Sequence, residues 1–386
     1  MSSGRQLIEI AGVGRTPAAE QWTLGLVDLA VQAGGAALDE AGGAPPTAVV
    51  LGNALGGALG DQSNSAAYVA DRLGLGEVES HSVGADEASG GAALRLGCAL
   101  IEAGMHETAL VIGAEKTSDA LPDELEAVRA SGLDALREAG FGFGPAVAAG
   151  LGMRRYLKEH RLERGLFYHL AETAHRHAAA NPQAFFPWAL SRQQYDRAPM
   201  VAEPMTVCDT APTCDGAAAV LLRRRGSGPA GPCVLGAASV STATGIAGPI
   251  RDLALPAAAS SAERALEIAG LRIDDMDLFD LHDANSFLAA LSLEAVGLAG
   301  RGEALQLARE GELRIKGRYP SWTFGGLKAR GNPPGAAGVY QAVEAVLQLR
   351  GAAGDNQVAG ASRALVQCLG SFGATAVTHV LATEVS

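Results

Sequence analysis

Along the chain, short uninterrupted apolar runs alternate with longer stretches in which apolar residues recur every three to four positions. The runs at 47–55, 108–116, 217–225, 232–242, 277–284, 363–371 and 376–384 have the length and β-branched content of buried strands. Between them, 25–42, 89–104, 262–270, 285–300 and 337–351 carry helical periodicity. Continuous apolar strands separated by helices predict an α/β fold whose sheet is covered on both faces. The helix opening at 89 is unusual. It reads Asp86-Glu87-Ala88-Ser89-Gly90-Gly91, with two carboxylates at the mouth of a stretch almost without side chains. Acids suit a helix N-terminus, but a helix of glycine and alanine packs tightly on every side, so Glu87 is expected to face an interior.

The pattern also has a weak internal echo. In the first half a glycine-rich turn opens a helix at Glu87 and "CDGAAAVLLRRR" closes the unit. In the second, "RGNPPGAAGVYQAVEAVLQ" opens a helix and "CLGSFGATAVTHVLA" closes it. Duplicated halves at 1–227 and 228–386 are expected, with 225–232 as the linker. The charged helical stretch at 118–197 interrupts the first half and reads as a cap inserted over a site.

Composition narrows the function classes. A length of 386 residues with 48% hydrophobic and 19% charged residues is ordinary for a globular chain able to bury a large core. The net charge of −12 argues against nucleic acid, which calls for clustered Lys and Arg. The one short basic run, Arg223-Arg224-Arg225, reads as a solvated strand edge. No apolar stretch approaches the roughly 20 residues that span a bilayer, and the N-terminus has no secretory h-region, so a soluble cytoplasmic protein is expected. Cysteines at 98, 208, 214, 233 and 368 form no C-x-x-C pair, and Cys208 and Cys214 read as buried structure. His175 and His177 read as surface histidines, not metal ligands, and no metal site is expected.

Seven ordered motifs over nearly 300 residues carry a family likeness: "ASGGAAL" at Ala88, "VIGAEKTSD" at Val111, "NPQAFF" at Asn181, "APMVAEPMTVCDTAPTCDGAAAVLL" at Ala198, "DLHDANSF" at Asp280, "GGLKARGNPPGAAGVYQ" at Gly325 and "CLGSFG" at Cys368. The chain resembles the thiolase superfamily, in particular the sterol-carrier-protein-associated and archaeal thiolases. The resemblance implies a duplicated αβαβα five-layer fold with an inserted loop domain, a homodimer, and chemistry on acyl-CoA thioesters, with no covalently bound cofactor. It also implies four catalytic points: a nucleophilic cysteine in "CASGG", a polar residue in "HDAF" or "NEAF", a histidine in "GHP" that joins an oxyanion hole, and a proton-moving cysteine in "CxG".

This sequence departs at two of the four. "EASGG" puts Glu87 in the nucleophile's place, and "GNP" puts Asn332 where the histidine belongs. "HDAN" keeps His282 and Asp283 but has Asn285 for the aromatic, and Cys368-Leu369-Gly370 keeps "CxG". Glu87, His282, Asn332 and Cys368 are therefore the expected catalytic set, with Asp283, Asn285, Gly370 and Ser89 against the substrate. A carboxylate cannot store an acyl group as a stable intermediate, and the loss of the cysteine's activating histidine removes the other half of the same mechanism. What remains suits enolate chemistry, with His282 and Asn332 as donors to a thioester oxygen and Glu87 or Cys368 moving protons. A (retro-)aldol step on a β-hydroxyacyl-CoA is the leading expectation. By analogy with thiolase-like steroid side-chain aldolases, an OB-fold acyl-CoA-binding partner goes with it. Acyl transfer on Cys368 and a non-catalytic acyl-CoA-binding scaffold subunit are the alternatives. Asn332 has a second possible role, capping the following helix, and Tyr340 is expected to pack.

Overall fold

Nine strands form one mixed sheet in a computed structural model that describes residues 7–43, 45–60, 62–226, 231–242 and 245–383. In chain order the strands are β1 (Ile8–Arg15), β2 (Ala48–Gly52), β3 (Glu79–Val83), β4 (Thr108–Glu115), β5 (Met200–Ala202), β6 (Met205–Thr206), β7 (Gly216–Arg224), β8 (Cys233–Ser241), β9 (Leu278–Asp280), β10 (Arg363–Gly370) and β11 (Thr375–Ala382). The sheet order is β3-β2-β4-β7-β1-β8-β11-β10-β9, and β5 and β6 form a separate ribbon. Within it β2-β4-β7-β1 runs parallel, antiparallel, antiparallel, and β9-β10-β11-β8 repeats those senses in the same order. The two sets meet edge to edge where Ile8 pairs with Val234 and Glu9 with Cys233. The expected boundary at 227–228 falls outside the described residues, as do 227–230 of the expected linker.

The layers follow from which faces are apolar. Helix Leu26–Ala41 covers one outer face over β1, β4 and β7, and helix Pro256–Ala269 covers the other over β8 and β11. Between them lie helices Ser89–Glu102 and Ala337–Leu349, which touch each other and strands of both sets. This is the five-layer α/β arrangement that the motifs imply. Both central helices are buried nearly all round, as their shortage of charge requires. Among the described residues no helix is long and apolar enough to cross a membrane.

Two strands of the nine-stranded sheet, and both of the separate ribbon, are absent from the sequence-based reading. β1 escapes it because Gly12 and Gly14 break the apolar run. A Cβ at either would stand 2.1 Å from a carbonyl oxygen of helix Leu26–Ala41, Ala37 or Ala33, so glycine is what allows that helix to lie on the strand. β3 escapes it because "ESHSV" is polar, as befits an edge strand. The expected strand at 277–284 pairs only over Leu278–Asp280, and the rest is the loop that carries His282.

His175 and His177 correct the surface reading. Helix Tyr168–Ala178 is packed against the turn at Gly326–Arg330, and both imidazoles are buried, bonded to the carbonyls of Trp188 and Trp322. Burial lowers both to about 4, so they are neutral core residues. Cys214 is buried as expected, whereas Cys208 is only half-buried. Tyr340 packs as expected, its hydroxyl donating to the Thr16 carbonyl at 2.8 Å. Gly14→Ala should cost about 1–3 kcal/mol of stability by forcing helix and strand apart, read as a lower midpoint in urea denaturation.

Candidate active site

The start of central helix Ser89–Glu102 is held by its own loop. Ser89 Oγ accepts from the Ala85 amide at 2.8 Å and donates to the Asp86 carbonyl at 2.6 Å. This closes a tight turn in which Asp86 takes a left-handed φ of 52°. Opposite it, Ser371 and Phe372 at the end of β10 take φ of 50° and 57°. Such backbone costs about 1–3 kcal/mol per residue and is held by its surroundings. Here the two turns brace each other, the Ser371 amide donating to Asp86 Oδ2 at 2.6 Å. Gly370 lets them meet, since a Cβ there would stand 2.3 Å from the Ala85 carbonyl oxygen.

Glu87 emerges from this turn into a cavity of about 400 Å³. Its side chain is 13% exposed and has three polar neighbours. His282 Nε2 stands 3.2 Å from Oε2, Asn332 Nδ2 donates to the same oxygen at 3.3 Å, and Arg129 lies 3.7 Å from Oε1. His282 is buried, and its Nδ1 accepts from the Leu369 amide at 3.3 Å. That bond places the ring proton on Nε2, aimed at Glu87. Burial pushes the Glu87 carboxyl up, but the hydrogen bond from His282, the charge of Arg129 and the Asn332 amide outweigh it and hold the group below its ordinary value. Asp86 goes the other way, raised by burial and by the Glu87 charge beside it.

Glu87, His282 and Asn332 therefore come together from three separate segments. Asn332 does not cap the following helix: its Nδ2 turns to Glu87, while its main chain joins Pro212 and Cys214. Both donors are thus engaged by the same carboxylate oxygen, Glu87 Oε2. Asn285 lines the cavity, but its Oδ1 is taken up capping helix Ser286–Ala295 through the Leu288 amide at 2.9 Å.

The other expected residues lie elsewhere. Cys368 follows the alternation of β10: Leu369 faces the cavity, so Cys368 faces the central helices. Its Sγ fills the space above Gly91 and Gly338, where added Cβ atoms would stand 2.3 and 3.0 Å away. Burial pushes its thiol up to about 12, which leaves it a neutral core group. Asp283 turns from the cavity and accepts from the Leu327 and Lys328 amides at 2.7 and 3.3 Å, shaping the turn before Asn332. Ser89 and Gly370 act through the backbone geometry above.

Two residues that sequence reasoning missed complete the surroundings. Arg129 comes from helix Pro122–Ala130 of the inserted segment, and nothing in "PDELEAVRA" sets it apart from other exposed helix arginines. Glu115, at the end of β4, is buried and accepts from Asn53 Nδ2 and the amides of Ala54 and Gly335 at 2.8–3.0 Å. Burial pushes it up to about 7 despite these donors. It ties together the loops that bring Leu55 and Pro334 to the cavity wall. No group of His, Cys, Asp and Glu able to hold a metal occurs among the described residues.

Residues 8–189 match the family described as thiolase, N-terminal domain, and residues 240–383 the one described as thiolase C-terminal domain-like. The acetyl-CoA acetyltransferase of Methanothermobacter thermautotrophicus is 33% identical over 97% of this chain and 98% of its own. The chain belongs to the thiolase family. This thiolase-family enzyme is also similar to sterol carrier protein 2 of Gallus gallus, at 28% identity over 96% of this chain and 70% of that protein. Its fold matches the solved structure of the Ltp2-ChsH2(DUF35) aldolase with a TM-score of 0.85, at 23% identity and 99% coverage of both chains. Human mitochondrial 3-ketoacyl-CoA thiolase matches at 0.76, at 18% identity over 98% of this chain and 99% of that one. Enzymes of the family act on CoA thioesters, and the cavity beneath Glu87 is where this thiolase-family enzyme brings its polar groups together.

Two outcomes check this geometry. Iodoacetamide at pH 8 should leave Cys368 unmodified in the folded protein and label it after denaturation, read by peptide mass spectrometry. The depressed Glu87 pKa stabilises the fold above the ordinary value of 4.5, and that contribution is lost as pH falls through the folded value. The stability difference between wild type and Glu87→Gln in urea should therefore be widest above pH 4.5 and narrow below it.

Proposed function

We propose that this thiolase-family enzyme breaks, or in reverse forms, a C–C bond by a (retro-)aldol step on a β-hydroxyacyl-CoA, with no acyl-cysteine intermediate. The observation that carries the reading is the Glu87 carboxylate, set in the cavity with His282 and Asn332 both donating to its Oε2. The balance of the step is simple. Glu87 takes the β-hydroxyl proton, that carbon becomes a carbonyl, and the Cα–Cβ electron pair passes into the thioester as an enolate. The proton is then returned to Cα, leaving a shortened acyl-CoA and an aldehyde or ketone.

The donor pair suits this sequence. Before reaction its N–H groups face a full negative charge on Glu87. Once Glu87 is protonated, the negative charge lies on the thioester oxygen, and the same donors are free to follow it. A preorganised donor of this kind commonly contributes about 3–4 kcal/mol to the transition state. The likeness in fold to an aldolase, Ltp2-ChsH2(DUF35), supports this reading over thiolysis. Acyl transfer through Cys368 has against it a thiol buried between the central helices with a pKa of about 12.

The proposal includes a homodimer and an OB-fold acyl-CoA-binding partner. The ChsH2(DUF35) component of the Ltp2 aldolase supports the partner. Oligomeric state by light scattering, with and without such a protein, measures both.

Activity is the decisive test. The protein with its partner should release an aldehyde or ketone and a shortened acyl-CoA from some β-hydroxyacyl-CoA. Glu87→Gln should lower kcat at least about 100-fold, and Cys368→Ser should stay within a few fold of wild type. Full activity in Glu87→Gln, or an acyl adduct on Cys368, would sink the reading.

A further inference from the structure

The inserted segment lends the cavity one cation whose hydrogen bonding is incomplete. The Arg129 guanidinium sits 3.0 Å from Glu126 Oε1 on one side. On the other it stands 3.7 Å from Glu87 Oε1, beyond hydrogen-bonding distance. Its Nε is buried without a hydrogen-bond partner. Glu87 is lopsided in the complementary way: Oε2 receives His282 and Asn332, while Oε1 has only the distant Arg129 as its partner among the described residues. Arg129 Nη2 and Glu87 Oε1 thus face each other at the cavity wall across a gap that no direct hydrogen bond closes.

Two contacts set this spacing. Glu126 takes the other end of the guanidinium, and the segment itself seats on the turn that carries Glu87. A Cβ at Gly132 would stand 2.8 Å from the Asp86 carboxylate carbon, so the chain there already lies against Asp86. An ion pair serving stability alone would be expected to close to ordinary contact. An oxygen set to one side of the 3.7 Å gap can lie about 2.8 Å from both groups.

We propose that Arg129 is a catalytic residue that recognises the substrate's β-oxygen, the hydroxyl accepting from the guanidinium while it donates to Glu87 Oε1. The proposal rests on the aldol reading above and extends it to how the β-hydroxyl is recognised. As the proton passes to Glu87, negative charge grows on that oxygen until the Cα–Cβ bond breaks and it becomes a carbonyl oxygen. The guanidinium stabilises this charge throughout. A guanidinium offers donors and no acceptor, so it does not compete with Glu87 for the proton.

Binding of stable thioethers tests this without turnover. S-(3-hydroxyoctyl)-CoA and S-octyl-CoA differ only in the hydroxyl, and neither can form an enolate. In the full-length protein, Arg129→Gln should weaken the hydroxylated thioether about tenfold or more and leave S-octyl-CoA within twofold. Arg129→Lys should recover part of the loss. In the cleavage assay, guanidinium ion added to Arg129→Ala should restore activity, which a purely structural arginine would not permit. Equal affinity changes for the two thioethers, or none for either, would overturn the role of Arg129. Loss of both ligands in both the Gln and Lys variants would do the same. Failure of the aldol reading shows separately, as undiminished turnover in Glu87→Gln.

Discussion

The structure depends on two helix starts that meet with almost no side chains between them. Helices Ser89–Glu102 and Ala337–Leu349 approach so closely that a Cβ on Gly90 would stand 2.9 Å from the Gly335 carbonyl oxygen, and one on Gly338 would stand 2.4 Å from the Gly91 amide nitrogen. Backbone packed on backbone leaves no slack. The segments just before each helix are therefore fixed relative to one another, and they carry Glu87 and Asn332. β10, which passes the same junction, supplies the Leu369 amide that orients His282. The glycines do no chemistry, yet they set the distances on which the chemistry rests.

Around that junction the charges are sorted by environment. Adjacent carboxylates cannot both be favoured as anions in a partly buried turn. Glu87 is kept ionised by an imidazole, an amide and a guanidinium from three directions, while Asp86 is raised and spends its acceptor capacity on the Ser371 amide. Side by side, one acid meets the donors of the cavity and the other ties two turns together. The strained φ values at Asp86, Ser371 and Phe372 sit in the same turns, held by this bonding and by the close helix packing.

Much of the fold was legible as pattern. The apolar runs mark seven of the nine strands of the main sheet because buried strands need continuous hydrophobic sequence. The two that escaped are those where another constraint overrides that need: glycines at a helix crossing in β1 and solvent at the edge in β3. Glu87, His282 and Asn332 stood out because they depart from, or keep, a motif at positions where chemistry is expected. Arg129 did not, because a cation brought in by an inserted helix leaves no local mark.

By itself, the sequence determined the α/β class, the family and the substitution of a carboxylate for a thiol at the helix mouth, all of which follow from residue identity and spacing. Only the tertiary structure decided which groups face the cavity. Cys368 and Leu369 are neighbours in sequence, yet the two-residue period of β10 sends one into the core and the other to the wall. Ser89 and Asp283 are polar residues beside the site, yet the nearest unpaired main-chain groups claim them. Direction and hydrogen-bond competition depend on which groups the folded backbone brings within reach, and a linear pattern does not contain that.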